Sequence, residues 1–327
     1  MKKSLVALAA LAVVSAASAQ SSVTIFGRVV LGLVKDTNGQ SARLDSANAL
    51  NQLGFRGVED LGGGTSALFE LRHRFSPESG SMDGTGNARP FWQSTTKVGL
   101  RGSFGTVEIG RFLTPARVAS GLSDPFLAET VANVDFLSTG YSTDPRAADG
   151  AGLARTDQIA YTSPVMGGGF SFALSVGPKT SAAVVPRTVG AKNLVSGWVQ
   201  YASGPLLLNT GYEQNRFNDK NTFIVGTYNF GPAKLLAGYS QTDNAAVAGP
   251  KGKNANLAMS APFGAITVKA GVGRSEAEGT GLKTTKVGLG AEYALSKRTY
   301  FYTDVARTKP AVGARVTGID FGISHNF

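Results

Sequence analysis

Gly318-Ile319-Asp320-Phe321-Gly322-Ile323-Ser324-His325-Asn326-Phe327 is the stretch whose reading decides the fold. Ile319, Phe321, Ile323 and Phe327 fall on one face, and Gly318, Asp320, Gly322, Ser324 and Asn326 on the other. A β-strand turns successive side chains to opposite faces, so this segment has one apolar and one polar face. Its apolar face keeps an aromatic at the very end, where a soluble domain usually frays. Alternation closed by an aromatic is the pattern of a strand in a membrane-spanning barrel.

The same period recurs upstream. Phe170, Phe172, Leu174 and Val176 alternate with Ser171, Ala173 and Ser175. Ile266, Val268, Ala270 and Val272 alternate with Thr267, Lys269, Gly271 and Gly273, and Val287, Leu289, Ala291 and Tyr293 with Lys286, Gly288, Gly290 and Glu292. Read this way, the chain holds sixteen strands: 22–34, 50–60, 64–75, 91–103, 105–112, 154–163, 169–177, 193–203, 205–213, 221–230, 232–242, 253–262, 264–274, 283–294, 299–308 and 315–327. A soluble β-sandwich also alternates, but its strands are commonly shorter. Strands of about ten residues match a tilted bilayer crossing. The fold class is therefore all-β, a 16-stranded antiparallel transmembrane barrel.

Connections of two lengths alternate along the chain. The tight ones include Gly102-Ser103-Phe104-Gly105, Gly204-Pro205, Gly231-Pro232 and Pro262-Phe263-Gly264, where glycine supplies positive φ and proline presets a turn. The long polar ones are 35–49, 76–90, 113–153, 178–192, 243–252 and 275–282. Short turns on one rim and long loops on the other is the asymmetry of an outer-membrane barrel. Loop 113–153 is by far the longest. Phe126, Phe136 and Tyr141 lie within it, and Phe112 just before it, so it needs a surface to bury them against. The barrel interior is the available one.

Residues 1–19 read as a secretory signal peptide: basic Lys2 and Lys3, an apolar run, then Ala17-Ser18-Ala19 before Gln20. That run is too short to span a membrane. Residues 20–327 form the barrel domain and contain no run of about 20 apolar residues, so a membrane location requires a closed sheet. There is no cysteine, which excludes disulfides, metal-thiolate sites and a thiol nucleophile. Glycine reaches 42 residues, and the mean hydropathy is near zero, as expected when half of each strand is polar. The net charge of +10 falls to +8 without Lys2 and Lys3. The basic residues are spread singly along strands, not clustered, which favours anionic solutes in a channel over nucleic acid.

Several segments carry a family resemblance. They are Ser22-Val23-Thr24-Ile25-Phe26-Gly27, Leu53-Gly54-Phe55-Arg56-Gly57-Val58-Glu59-Asp60-Leu61-Gly62-Gly63-Gly64, Val98-Gly99-Leu100-Arg101-Gly102-Ser103-Phe104-Gly105, Gly110-Arg111, Tyr161-Thr162-Ser163-Pro164, Tyr228-Asn229-Phe230-Gly231-Pro232-Ala233-Lys234-Leu235, Leu295-Ser296-Lys297-Arg298-Thr299 and Gly322-Ile323-Ser324-His325-Asn326-Phe327. In their order and spacing the chain resembles the trimeric general porins of the Gram-negative outer membrane, of the beta-proteobacterial branch. The resemblance implies a sixteen-stranded barrel, a third long loop folded inward, and a homotrimer embedded in outer-membrane lipids. It implies passive diffusion of small hydrophilic solutes and inorganic ions, with acidic loop residues facing a basic wall. Phe327 would belong to the signal read by the outer-membrane assembly machinery.

Strand parity selects the wall residues. Val23, Ile25, Val29 and Leu31 share the apolar face, so Arg28 points inward, at a position where relatives often place a basic residue. Arg56 and Arg101 share the polar faces of Gly54 and Gly99; Arg72 and Arg74 alternate with Leu71, His73 and Phe75. Lys97 completes the set, with Glu70 beside the arginines. Two positions depart from the family: Gln52 replaces an arginine, and the arginine that opens the sixth strand falls at Ala154 or Arg155, Arg155 being favoured. On the loop, Asp124, Glu129 and Asp135 are the acidic candidates. Five basic residues (Arg28, Arg72, Arg74, Lys97, Arg155) against Asp124 and Glu129 predict a mild anion preference.

No cofactor or metal is expected, and no enzyme. His73 and His325 are the only histidines, and neither has a serine and an acid at motif spacing. A solute-specific channel is the nearest alternative. A lipase-like barrel and a non-conducting structural barrel rank below it.

Overall fold

The computed structural model describes residues 22–37, 40–46, 50–82, 91–92, 94–137, 155–179, 192–216, 218–243 and 251–327. The expected signal peptide, Tyr141 and Ala154 lie outside these. The strands are β1 Ser22–Lys35, β2 Arg43–Asp45, β3 Gln52–Gly62, β4 Thr65–Ser76, β5 Ser81–Met82, β6 Thr95–Gly102, β7 Gly105–Leu113, β8 Arg155–Thr162 and β9 Phe170–Gly177. They continue with β10 Leu194–Ser203, β11 Leu206–Gln214, β12 Lys220–Asn229, β13 Lys234–Asp243, β14 Gly252–Phe263, β15 Ile266–Ala277, β16 Lys283–Ala294, β17 Thr299–Lys309 and β18 Val316–Asn326. β2 and β5 are short strands within the long connections. The other sixteen form a closed antiparallel barrel. All sixteen match the sequence reading; the largest boundary difference is β6, which starts at Thr95 instead of residue 91.

Closure rests on the stretch first read from sequence. β18 pairs with β17 on one side and with β1 on the other, from Arg28↔Asn326 to Lys35↔Ile319. Phe327 adds the last link: its N–H donates to the Gly27 carbonyl and its carbonyl accepts from Gly27 N–H, both at 3.0 Å. Ile319, Phe321, Ile323 and His325 face outward, while Asp320, Gly322 and Ser324 are buried inside. In lipid every backbone polar group needs such an internal partner, which is why the sheet must close.

Consecutive strands turn tightly on one rim, where Gly204 and Gly264 hold φ of 55° and 63°, a region other residues rarely adopt. Aromatic pairs collect near that rim, among them Tyr161 with Phe172, Phe170 with Tyr201, and Tyr228 with Phe230. Rings at this level suit a membrane–water interface. His73 lies on the outer side of β4, where Phe91 stacks flat on it at 4.0 Å. His325 stays exposed, its Nδ1 within 2.8 Å of the Thr299 hydroxyl.

Candidate functional site

The segment after β7 does not run outside the barrel. Thr114 caps a short helix, α1 (Pro115–Ser120), with its hydroxyl accepting from Arg117 N–H, and a 3-10 turn follows at Gly121–Ser123. The chain then crosses the lumen in turns as far as Leu137. Phe126, Val131, Ala132 and Val134 pack on Val34, Leu236, Ala258 and Ala306. Ala116, Ala119 and Leu137 pack on Phe223 and Val225. Of the loop's aromatics, Phe126 is buried and Phe136 is half-buried against Gly273; Phe112, near the end of β7, is buried too.

Polar ties fix the loop to the wall. Ala116 N–H donates to the Ser196 hydroxyl (3.0 Å), Asn256 Nδ2 to the Ser123 hydroxyl (2.9 Å), and Val131 N–H to Asp320 Oδ2 (2.9 Å). The Ser240 hydroxyl donates to the Leu137 carbonyl (2.6 Å). Wall glycines let the loop come this close. A Cβ on Gly238 would lie 2.6 Å from a Leu137 methyl, one on Gly271 2.9 Å from a Val134 methyl, and one on Gly288 would collide with the Ala132 backbone. Alternation in the sequence put Gly271 and Gly288 on the polar faces of their strands, with no sign of what would meet them. They are the floor on which the loop rests.

These four ties lead to β10, β13, β14 and β18, and none of them to β3, β4 and β6, which leaves the wall around those strands to face a passage. That wall carries the basic row. Antiparallel register sets Arg28 opposite Gln52, Gly54 opposite Arg72, Arg56 opposite Glu70, and Glu70 opposite Lys97. The Phe26 ring covers Gly54, where a Cβ would be 2.5 Å from its nearest ring atom. The Arg56 guanidinium stands 5.0 Å and that of Arg72 5.4 Å from the ring centre. Aromatic faces attract cations, so Phe26 holds two like charges side by side. Arg72 also pairs with Glu70 and donates to Gln52 Oε1 at 3.2 Å. Lys97 pairs with Glu108 at 2.7 Å. Among the described residues Arg56 makes no ion pair. Arg101 is exposed near the tight-turn rim of the same row. Neither Phe26 nor Glu108 was singled out from sequence; parity alone could have placed both inward.

Arg28 and Glu129 meet as a wall–loop pair at 2.6 Å, with the Tyr300 hydroxyl accepting from Arg28 Nη2 at 2.8 Å. Four expected pore residues sit differently. Asp124 is only 2 % exposed, and its carboxylate accepts from the N–H groups of Phe126 (3.2 Å), Ala128 (2.8 Å) and Val134 (3.3 Å). It holds a turn in which Leu127 and Ala128 both have positive φ (56° and 60°), and that turn delivers Glu129 to Arg28. Asp135 is tied back to Arg117 at 2.8 Å, within the loop. Arg155 shares the parity of Ile159, not that of inward Gln158, and is 2 % exposed. Arg74 keeps the inward parity but is buried. A single chain turn redirects an acid on a loop, so spacing alone does not place it.

Burial raises the Asp124 carboxyl to about 6, outweighing its three N–H donors. A group held above its ordinary value stabilises the folded loop while protonated. That contribution is complete below about pH 4 and is lost as pH rises through about 6. The loop should therefore be steadier at pH 5 than at pH 8, measured as open-channel current noise, and Asp124→Asn should flatten that dependence. Equal noise at both pH values in the unmodified protein would contradict it.

A family model described as Gram-negative porin matches residues 6–310. Outer membrane porin protein 32 of Delftia acidovorans is 33% identical over 367 residues, covering 100% of both chains. Major outer membrane protein P.IB of Neisseria gonorrhoeae is 28% identical over 345 residues, covering 91% of each. Among solved structures, the anion-selective porin from Comamonas acidovorans superposes with a TM-score of 0.79 at 29% identity, over 94% of this chain and 100% of that one.

Proposed function

The chain belongs to the Gram-negative porin family, and we propose that its channel favours small anions. It is an outer-membrane porin, a channel for passive diffusion of small hydrophilic solutes and ions. The observation that carries the anion reading is Arg56, a guanidinium on the pore wall with no ion pair among the described residues. The loop does not cancel it: Glu129 is engaged by Arg28, Asp135 by Arg117, and Asp124 by backbone N–H groups. Uncancelled charge beside a narrow, low-dielectric passage concentrates field lines and raises the local concentration of counter-ions. The similar solved structure from Comamonas acidovorans is that of an anion-selective porin.

The same reading includes a homotrimer, export by a signal peptide over residues 1–19, and a role for Phe327 in recognition by the assembly machinery. We read the chain as a channel without enzymatic activity; His73 is stacked on Phe91 and His325 is bonded to Thr299. Planar-bilayer recording tests the proposal. A KCl gradient should give a reversal potential of anionic sign, and insertions should close in three equal steps. Arg56→Gln should lower the anion-to-cation permeability ratio by about two- to fivefold, as expected for removing a unit charge roughly 10 Å from a passing ion in a water-filled pore. Clear cation selectivity of the unmodified channel would overturn the anion reading.

A further inference from the structure

The ladder between β8 and β9 stops early. It runs only from Thr162↔Ala173 to Ile159↔Val176, whereas β7–β8 and β9–β10 continue on toward the long-loop rim. Beyond Ile159, residues 156–158 face residues 177–178 across a gap. An open edge is costly in a membrane wall, since its carbonyls have no water to turn to.

One side chain fills this gap. Arg216, in the loop between β11 and β12, is fully buried. Its Nη2 donates to the Asp157 carbonyl at 2.9 Å and lies 3.2 Å from the Asp157 carboxylate. Its Nη1 donates to the Thr156 hydroxyl, and its Nε to the Pro178 carbonyl at 2.6 Å. A single planar fork therefore bridges both strand edges. Arginine suits this task and lysine does not, because the guanidinium offers five donors in fixed directions.

The surroundings are built for that fork. Asn215 N–H donates to the Asp219 carbonyl and Asp219 N–H to Asn215 Oδ1, both at 3.0 Å, which closes the base of the loop. Lys192 N–H donates to the Arg216 carbonyl at 3.0 Å. Gly177 leaves the space, since a Cβ there would lie 2.8 Å from Nη2 and 2.6 Å from the Asp157 carbonyl oxygen. On the outside, a cleft of about 500 Å³ lined by Ile109, Ile159, Val176 and Pro178 reaches the same gap. β8 is also the strand into which the constriction loop returns, and Gln158 Nε2 donates to the Phe112 carbonyl at 2.8 Å, joining both ends of that loop.

We propose that Arg216 is a positioning residue, a clasp that completes the barrel wall between β8 and β9 and so fixes the start of β8, the strand that follows the constriction loop. This rests on loop 113–153 narrowing the pore, but not on the sign of the selectivity. The test uses the full-length protein with Arg216→Ala, Arg216→Lys and Gly177→Ala. Gly177→Ala keeps the arginine and displaces its fork. All three should unfold in detergent gels at temperatures lower by about 5–10 °C, as expected for several lost charge-assisted bonds. The channels that remain folded should close at lower voltage and with more current noise, and Arg216→Lys should not restore either property. If Arg216→Ala does not fold, Arg216→Lys and Gly177→Ala decide the matter. Folded variant channels with the unmodified closure voltage and noise would overturn the proposal, even if their melting temperature fell. Reversal potential is measured in the same record, and a wrong sign in the unmodified channel counts only against the anion reading.

Discussion

A chain that ends at Asn326 should accumulate in the outer membrane at less than about a tenth of the normal level, because unpaired backbone groups in lipid cost several kcal/mol each and 1.4 kcal/mol is tenfold. Phe327 exchanges two hydrogen bonds with Gly27 at the point where the first and last strands close the sheet. Its ring also covers Gly27, which has no side chain of its own to shield the seam. Removing it opens an edge on each side. The proposed assembly signal would be lost in the same step. Channels that do insert should conduct normally, because Phe327 faces outward, away from the passage. Surface labelling and single-channel recording of the truncated chain separate the two effects. A normal membrane level would contradict the first expectation, and altered conductance the second.

Gly288→Val should release the constriction loop and raise single-channel conductance. A branched side chain there has to enter the space taken by the Ala132 backbone. Overpacking of this kind costs about 1–3 kcal/mol even where side chains can adjust, and backbone adjusts less readily. The apolar cluster of Phe126, Val131, Ala132 and Val134 would lose part of its contact with the wall. The Val131–Asp320 bond and the Glu129–Arg28 pair lie within four residues of the displaced point and should weaken together. Gly226→Ala is the matched control. Gly226 faces outward and its nearest neighbour is a movable Leu208 methyl at 3.2 Å, so that variant should conduct normally. Unmodified conductance in Gly288→Val would show that the loop does not set the narrowest point.

Much of this was legible one residue at a time. Alternation separates outward Ile319, Phe321 and Ile323 from inward Asp320 and Ser324 because a strand's side chains have a period of two. The same parity placed Arg28, Arg56 and Arg72 on the inner row. It failed where the chain leaves the sheet. Asp124 and Asp135 were acidic loop candidates for the pore face, yet positive φ at Leu127 and Ala128 and an internal partner for Asp135 turn both into the loop. Arg155 stands at the first position of its strand, where an offset of one residue exchanges inside for outside.

From sequence alone came the all-β class, the sixteen strands, the short and long rims, the family and most of the basic wall. These are local properties: period two, turn chemistry and residue order act over a few neighbours. Only the tertiary structure decided that Gly238, Gly271 and Gly288 form the loop's floor, that Phe26 holds Arg56 and Arg72 together, and that Arg216 bridges a gap between β8 and β9. Each of those joins residues far apart in the chain. Their meeting depends on the register of a closed barrel and on the path of a loop through its lumen, and no local pattern encodes either.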